Sequence, residues 1–207
     1  MKIEFENKKT RYRLILFLLG VVGLVIQFVT DGLNVVMYYT ILSNLLVTFF
    51  LLYLIRRKTA WDNKLYRIKG GVTMAIMITF AVYHFLLSPT IEAKDFYTIE
   101  NFICHYIVPL GFFLDTMILD KGRYEKYDPI LWTLFPLGYS IFALFNGLVL
   151  KIPIPSPDSP FPYFFVNVTK YGWVAVLKYS AGILVGYLLF GYVFYFLKNK
   201  INSKMKE

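Results

Sequence analysis

Two histidines, His84 and His105, stand inside long apolar runs, and a threonine, Thr40, stands in a third. An ionisable side chain is costly at membrane depth and by default marks a site. A threonine hydroxyl becomes a nucleophile once a neighbouring base removes its proton, and imidazole is suited to this near neutral pH. Thr40 and His105 together therefore outline acyl transfer. The Asn44 amide, or a backbone N–H freed near an outer helix end, would donate to the developing oxyanion. Around them, Thr40, Ser43 and Asn44 share one helix face, as do Asn101, His105 and Pro109. Pro109 has no N–H, so in a regular helix the His105 carbonyl is left as a free acceptor.

Each residue also has a plainer reading. Thr40 back-bonds to the carbonyl of residue 36, as intramembrane threonines often do. Ser43 and Asn44 tie helices together. His84, beside Tyr83, makes a structural hydrogen bond, and Lys178 snorkels to headgroups unless it meets an anionic ligand. Asp115 lies ten residues beyond His105, about 80° around the helix, and is not an obvious partner for the imidazole. Cys104 is the single cysteine, so no internal disulfide forms.

Other chemistries find less support. The sequence has no HExxH, no paired carboxylates at metal spacing and no glycine-rich phosphate loop, so neither a metal site nor a cofactor is expected. A minor alternative makes His84 and His105 axial ligands of a b-type haem.

The elements that must position these groups are membrane helices. The 207 residues are 57% hydrophobic and 19% aromatic, with mean hydropathy +0.56. Six segments reach the spanning length of roughly 17–25 residues, at 14–30, 35–55, 70–88, 102–119, 130–150 and 173–197. The expected fold is one all-α, six-helix membrane domain over residues 1–207. The first run, lacking a small-residue cleavage site, reads as a retained helix.

The net charge of +9 is unevenly spread. All lysines and arginines except Lys94, Lys151, Lys170 and Lys178 fall in segments that a six-helix chain places on one side. They include Arg13, Lys58, Arg67, Lys69, Lys198 and Lys206. This positive-inside pattern sets both termini in the cytoplasm and suits anionic lipid on that face. No aromatic-interleaved basic groove suggests nucleic acid. Thr40, His105, His84 and Lys178 then occupy one layer near the outer surface, with Thr40 about 7–8 Å below the end of its span. Residues 151–172 carry Pro153, Pro155, Pro157, Pro160 and Pro162 among aromatics, composing either a stiff lid over the outer mouth or a surface tether. Gly182 and Gly186 predict close helix packing.

Tyr38-Tyr39-Thr40-Ile41-Leu42-Ser43-Asn44-Leu45, His105 with Pro109, Pro136-x-x-Tyr139 and Pro160-Phe161-Pro162-Tyr163-Phe164-Phe165 resemble the androgen-induced membrane protein family. The closer likeness is to its bacterial branch of small multipass proteins, and it runs over residues 38–180. Eukaryotic members are threonine hydrolases of fatty acid esters of hydroxy fatty acids. The resemblance implies Thr40 as nucleophile, His105 as base and a lipid-like ester as substrate. In that family asparagine follows the threonine by three residues. Here Ser43 holds that place and Asn44 follows, so Ser43 is the second candidate nucleophile. A site in the outer leaflet would draw substrate from lipid, with His84, Asn101 and Lys178 as further substrate-binding candidates. The alternative function is a non-catalytic module that binds a lipid or small molecule.

Overall fold

A computed structural model describes residues 2–57, 61–155 and 159–204; Lys58, Pro157 and Lys206 lie outside them. The described chain is all-helical. Six helices are long and apolar enough to cross a membrane. They are α1 (Lys2–Asp31), α2 (Tyr39–Arg56), α3 (Asn63–Thr90), α4 (Ile99–Leu119), α5 (Asp128–Leu150) and α6 (Val168–Lys204).

Several boundaries move from their expected places, for local reasons. Helix α2 starts at Tyr39 rather than residue 35. Gly32, at φ +76°, ends α1 and leads into a 3₁₀ turn, Leu33–Met37, and Tyr38 is extended. The Met37 carbonyl is taken by the Tyr139 hydroxyl at 2.8 Å instead of by a helical N–H. Thr40 is therefore the second residue of its helix, not the sixth. Helix α3 starts earlier than expected because Asp62 caps it, accepting the Leu65 N–H at 2.8 Å. The extra turns carry Lys69 into the interior, where it is fully buried. Helix α6 begins at Val168 and bends at Gly172, whose φ of +74° only glycine adopts without strain.

Helices α1 to α4 form one bundle around Leu16, Val47, Leu51, Ile76, Val108 and Phe112. Helices α5 and α6 pair with each other and meet α3. A second core joins Tyr39 and Tyr139 to Phe161, Phe165 and Val166, so residues 161–166 of the proline-rich segment fold inward, while residues 151–153 stay exposed. Asn146 holds it there. Its amide donates to the carbonyls of Ile152 (3.2 Å) and Pro160 (3.0 Å), and its Oδ1 accepts the Ile152 N–H at 3.1 Å. Gly147 allows this approach, since a Cβ there would overlap the Phe161 ring.

The end of the bundle where α1 starts and α6 finishes is locked by buried charge. Arg13 Nε reaches Asp115 at 2.9 Å and its Nη2 reaches Asp120 at 3.0 Å. Lys69 Nζ bonds both carboxylates, Asp120 at 2.6 Å. Lys198 Nζ donates to the carbonyls of Met117 (2.8 Å) and Asp120 (2.7 Å) at the close of α4. Four helices are thereby tied at one level.

Candidate active site

At the opposite end of the bundle, α2 and α4 bring Thr40 and His105 together. Thr40 Oγ1 lies 3.2 Å from His105 Nε2, within hydrogen-bonding reach across 65 positions of sequence. The threonine hydroxyl is thus aimed at imidazole and does not back-bond along its own helix. Both side chains are half-buried.

Three features fix the imidazole. Its Nδ1 lies 3.1 Å from the Asn101 carbonyl. A carbonyl only accepts, so Nδ1 carries the proton in the neutral ring and Nε2 presents its lone pair to Thr40. Tyr83 stacks on the ring, with centroids 3.8 Å apart at 22°. The Asn101 amide in turn donates to the Tyr83 hydroxyl (2.6 Å) and the Phe96 carbonyl (2.7 Å). Asn101 is therefore a positioning residue, acting through its carbonyl on one side of the imidazole and through Tyr83 on the other.

The local backbone explains why His105 faces α2. Residues Ile103–Ile107 form a single π turn, a feature often found at functional sites. The ladder there runs from the Val108 N–H to the Ile103 carbonyl, five residues back. In that register the N–H that Pro109 lacks would have served Cys104 and not His105, which corrects the expectation from a regular helix. The Asn44 amide takes the orphaned Cys104 carbonyl at 3.0 Å and the Thr40 carbonyl at 2.8 Å. Both its N–H bonds are spent, so Asn44 joins α2 to α4 and has no donor left for an oxyanion.

The position of Thr40 in the first turn of α2 supplies other donors. The first N–H groups of a helix have no intrahelical partner and carry the positive end of its dipole. The Thr40 N–H points to the Tyr163 hydroxyl at 3.4 Å. Burial pushes the Tyr163 phenol up to about 12, so it stays a neutral O–H donor at physiological pH. The Thr40 N–H is thus given to the Tyr163 oxygen, in a contact longer than either Asn44 bond, and the two groups stand together at the start of α2. Tyr163 was read from sequence only as part of the aromatic segment. The usable signal was a hydroxyl within a run of phenylalanines, since a buried tyrosine needs a partner for its O–H.

Thr40, Tyr163, Tyr83 and Thr79 border an apolar cavity of about 120 Å³ between α2, α3, α5 and α6. Ser43 lies one turn below Thr40. Its Oγ donates to the Thr40 carbonyl at 3.1 Å and meets Thr79 Oγ1 at 2.7 Å, with no contact to His105. Other expected members lie elsewhere. His84 is exposed, its Nδ1 3.2 Å from the Tyr106 hydroxyl. Both nitrogens of His105 are hydrogen-bonded, one to Thr40 and the other to the Asn101 carbonyl. Lys178 borders a separate groove between α3 and α6. Gly182 and Gly186, expected at a tight helix contact, line that groove, and a Cβ on either would meet nothing within 4 Å. Asp115 belongs to the charged end. Among the described residues no group of three or more His, Cys, Asp or Glu side chains is arranged to hold a metal ion.

Comparison of the chain with protein-family models, curated proteins and solved structures gives no match, so the likeness to the androgen-induced membrane proteins stands on the quoted motifs alone.

Proposed function

We propose that this chain is a multipass membrane hydrolase of lipid-like carboxylic esters, of which fatty acid esters of hydroxy fatty acids are the model. Thr40 is the nucleophile and His105 the general base. Both termini lie in the cytoplasm of a cell-membrane protein, as the basic residues at one end favour. The catalytic layer then sits in the outer leaflet. The reading rests on one observation above all, the 3.2 Å contact between Thr40 Oγ1 and a His105 nitrogen left unprotonated by its neighbour's bond to Asn101.

The chemistry follows from this arrangement. Nε2 takes the Thr40 proton as Oγ1 attacks the ester carbonyl carbon. The carbonyl oxygen becomes an oxyanion that displaces the 3.4 Å contact between the Thr40 N–H and the Tyr163 oxygen, and both groups then donate to it at the positive end of α2. Collapse breaks the bond to the alcohol oxygen, which leaves with the proton from Nε2, and an acyl-threonine remains. Water, deprotonated by the same Nε2, then releases the carboxylic acid and restores Thr40.

Labelling by an alkyl fluorophosphonate, with the protein in lipid vesicles, tests the proposal. Wild-type protein should be labelled on Thr40, and Thr40→Ala and His105→Ala should not. Labelling that persists in both variants overturns the mechanism and would direct attention to Ser43. A second reading, a lipid-binding module without turnover, is favoured by the apolar lining of the cavity. It predicts bound lipid in Thr40→Ala with no ester hydrolysis by the wild type.

A further inference from the structure

The cavity beside Thr40, at about 120 Å³, is much smaller than the roughly 300–1,000 Å³ of typical ligand sites. A lipid ester does not fit in it. Next to it lies a much larger space of about 740 Å³, open on one side between α3 and α6. The two share walls at Ile78, Val82, Ile183 and Tyr187. On α6 the groove runs from Ala175 to Phe190, about 22 Å at 1.5 Å per residue. Its middle is cut by Gly182 and Gly186, where open space replaces side chains. Near its site end stands Lys178, exposed and without a hydrogen bond or ion pair among the described residues.

We propose that this groove is a lateral port that admits one hydrocarbon chain of an anionic lipid from the bilayer, with the negative group held at Lys178. It rests on the hydrolase reading only for the fate of the guest; the binding itself does not require turnover. The separation of functions follows from volume and charge. The small cavity takes the ester group and brings it to Thr40. The groove takes the chain, for which an apolar trough along two helices is complementary. A lysine in the outer layer with no protein partner gains from an anion at the interface. Close approach of a chain to α6 needs the two glycines, because any side chain there would occupy the trough.

The test uses a photoactivatable diazirine palmitate in vesicles holding the full chain. Crosslinks should map to α3 and α6 around Val82 and Ile183, equally in wild type and Thr40→Ala. In the double variant Gly182→Leu, Gly186→Leu each new Cβ meets nothing within 4 Å and the helix gains propensity, so it should fold and lose most of the crosslink. Lys178→Glu should weaken labelling by palmitate about fivefold or more, the scale of one partly exposed ion pair, and leave labelling by the diazirine palmitate methyl ester unchanged. Crosslinks spread evenly over the lipid-facing helices, or unaffected by the two leucines, overturn the port. So does crosslinking of one copy of the chain to another through the groove, which would make it a subunit interface. Because port binding does not need the Thr40 hydroxyl, absence of ester hydrolysis by the wild type would count against the catalytic reading and leave the result on the port intact.

Discussion

The two ends of the bundle handle buried polarity in opposite ways. At the basic end, Arg13, Lys69 and Lys198 are bonded to Asp115, Asp120 or the carbonyls that close α4, and Lys69 and Asp115 are wholly buried. At the site end the groups carry no formal acid or base pair, namely a threonine, an imidazole, a phenol and two amides, and Thr40 and Tyr163 among them border empty space. Full charges in a low-dielectric interior must be paired, and once paired they resist separation. Neutral donors and acceptors exchange partners at much smaller cost. One end therefore fixes how the helices stand, while the other keeps side chains whose hydrogen bonds can be redirected, as the proposed hydrolysis requires.

The sharpest break between the ends comes from removing the reacting pair. His105→Ala should lower ester hydrolysis by about 10²–10⁴-fold, and Thr40→Ala should abolish acyl-enzyme formation, both with unchanged thermal unfolding. The reverse pattern is expected at the other end. Asp115→Asn leaves Arg13 and Lys69 short of a carboxylate and should cost about 3–5 kcal/mol of stability, read from denaturant unfolding in detergent. The surviving folded fraction should keep its fluorophosphonate labelling per molecule. A comparable loss of specific activity in that variant would mean that the two ends are coupled.

Tyr163→Phe sharpens the comparison within the site. The ring keeps its place between Tyr38 and Phe165, so folding is preserved, while the oxyanion loses its side-chain donor. Hydrolysis should fall by about 10²–10³-fold, seen in kcat rather than KM. The smallest effect expected is in alkali. The Tyr163 phenol titrates at about 12 in the folded protein, against 10 for an ordinary tyrosine. Its contribution to stability is complete below pH 10, because folded and unfolded chains are both protonated there. It is lost as the unfolded state ionises first, between pH 10 and pH 12. Thermal unfolding of Tyr163→Phe should be less sensitive to pH across that window than wild type.

The six helices were legible because length and apolar composition are local properties, and membrane helices satisfy their own backbone. The shared layer of Thr40 and His105 was legible too, although α2 starts four residues later than its apolar pattern suggests. What escaped were features created by contact between distant segments. Tyr139 ends the turn before α2 by taking the Met37 carbonyl, and nothing near residue 37 announces it. The π turn at Ile103–Ile107 redirects the effect of Pro109 by one residue, which no helical wheel shows. Lys69 looked like a loop charge and Asp115 like a stray acid, because each was judged without the other. Lys178 and His84 shared depth with Thr40 but sit on different faces. Depth along a helix is readable from counting, whereas the direction around it depends on neighbours.

The ionic lock also bears on how the chain is assembled. Arg13 and Lys69 belong to the first and third helices, whereas the carboxylates that neutralise them arrive only with the fourth. During synthesis from the N-terminus, two cations must wait near the aqueous boundary until Asp115 and Asp120 emerge. Their pairing involves only the first, third and fourth helices, so it does not require the last two. The later hairpin docks on a finished scaffold, with Lys198 as its fastening.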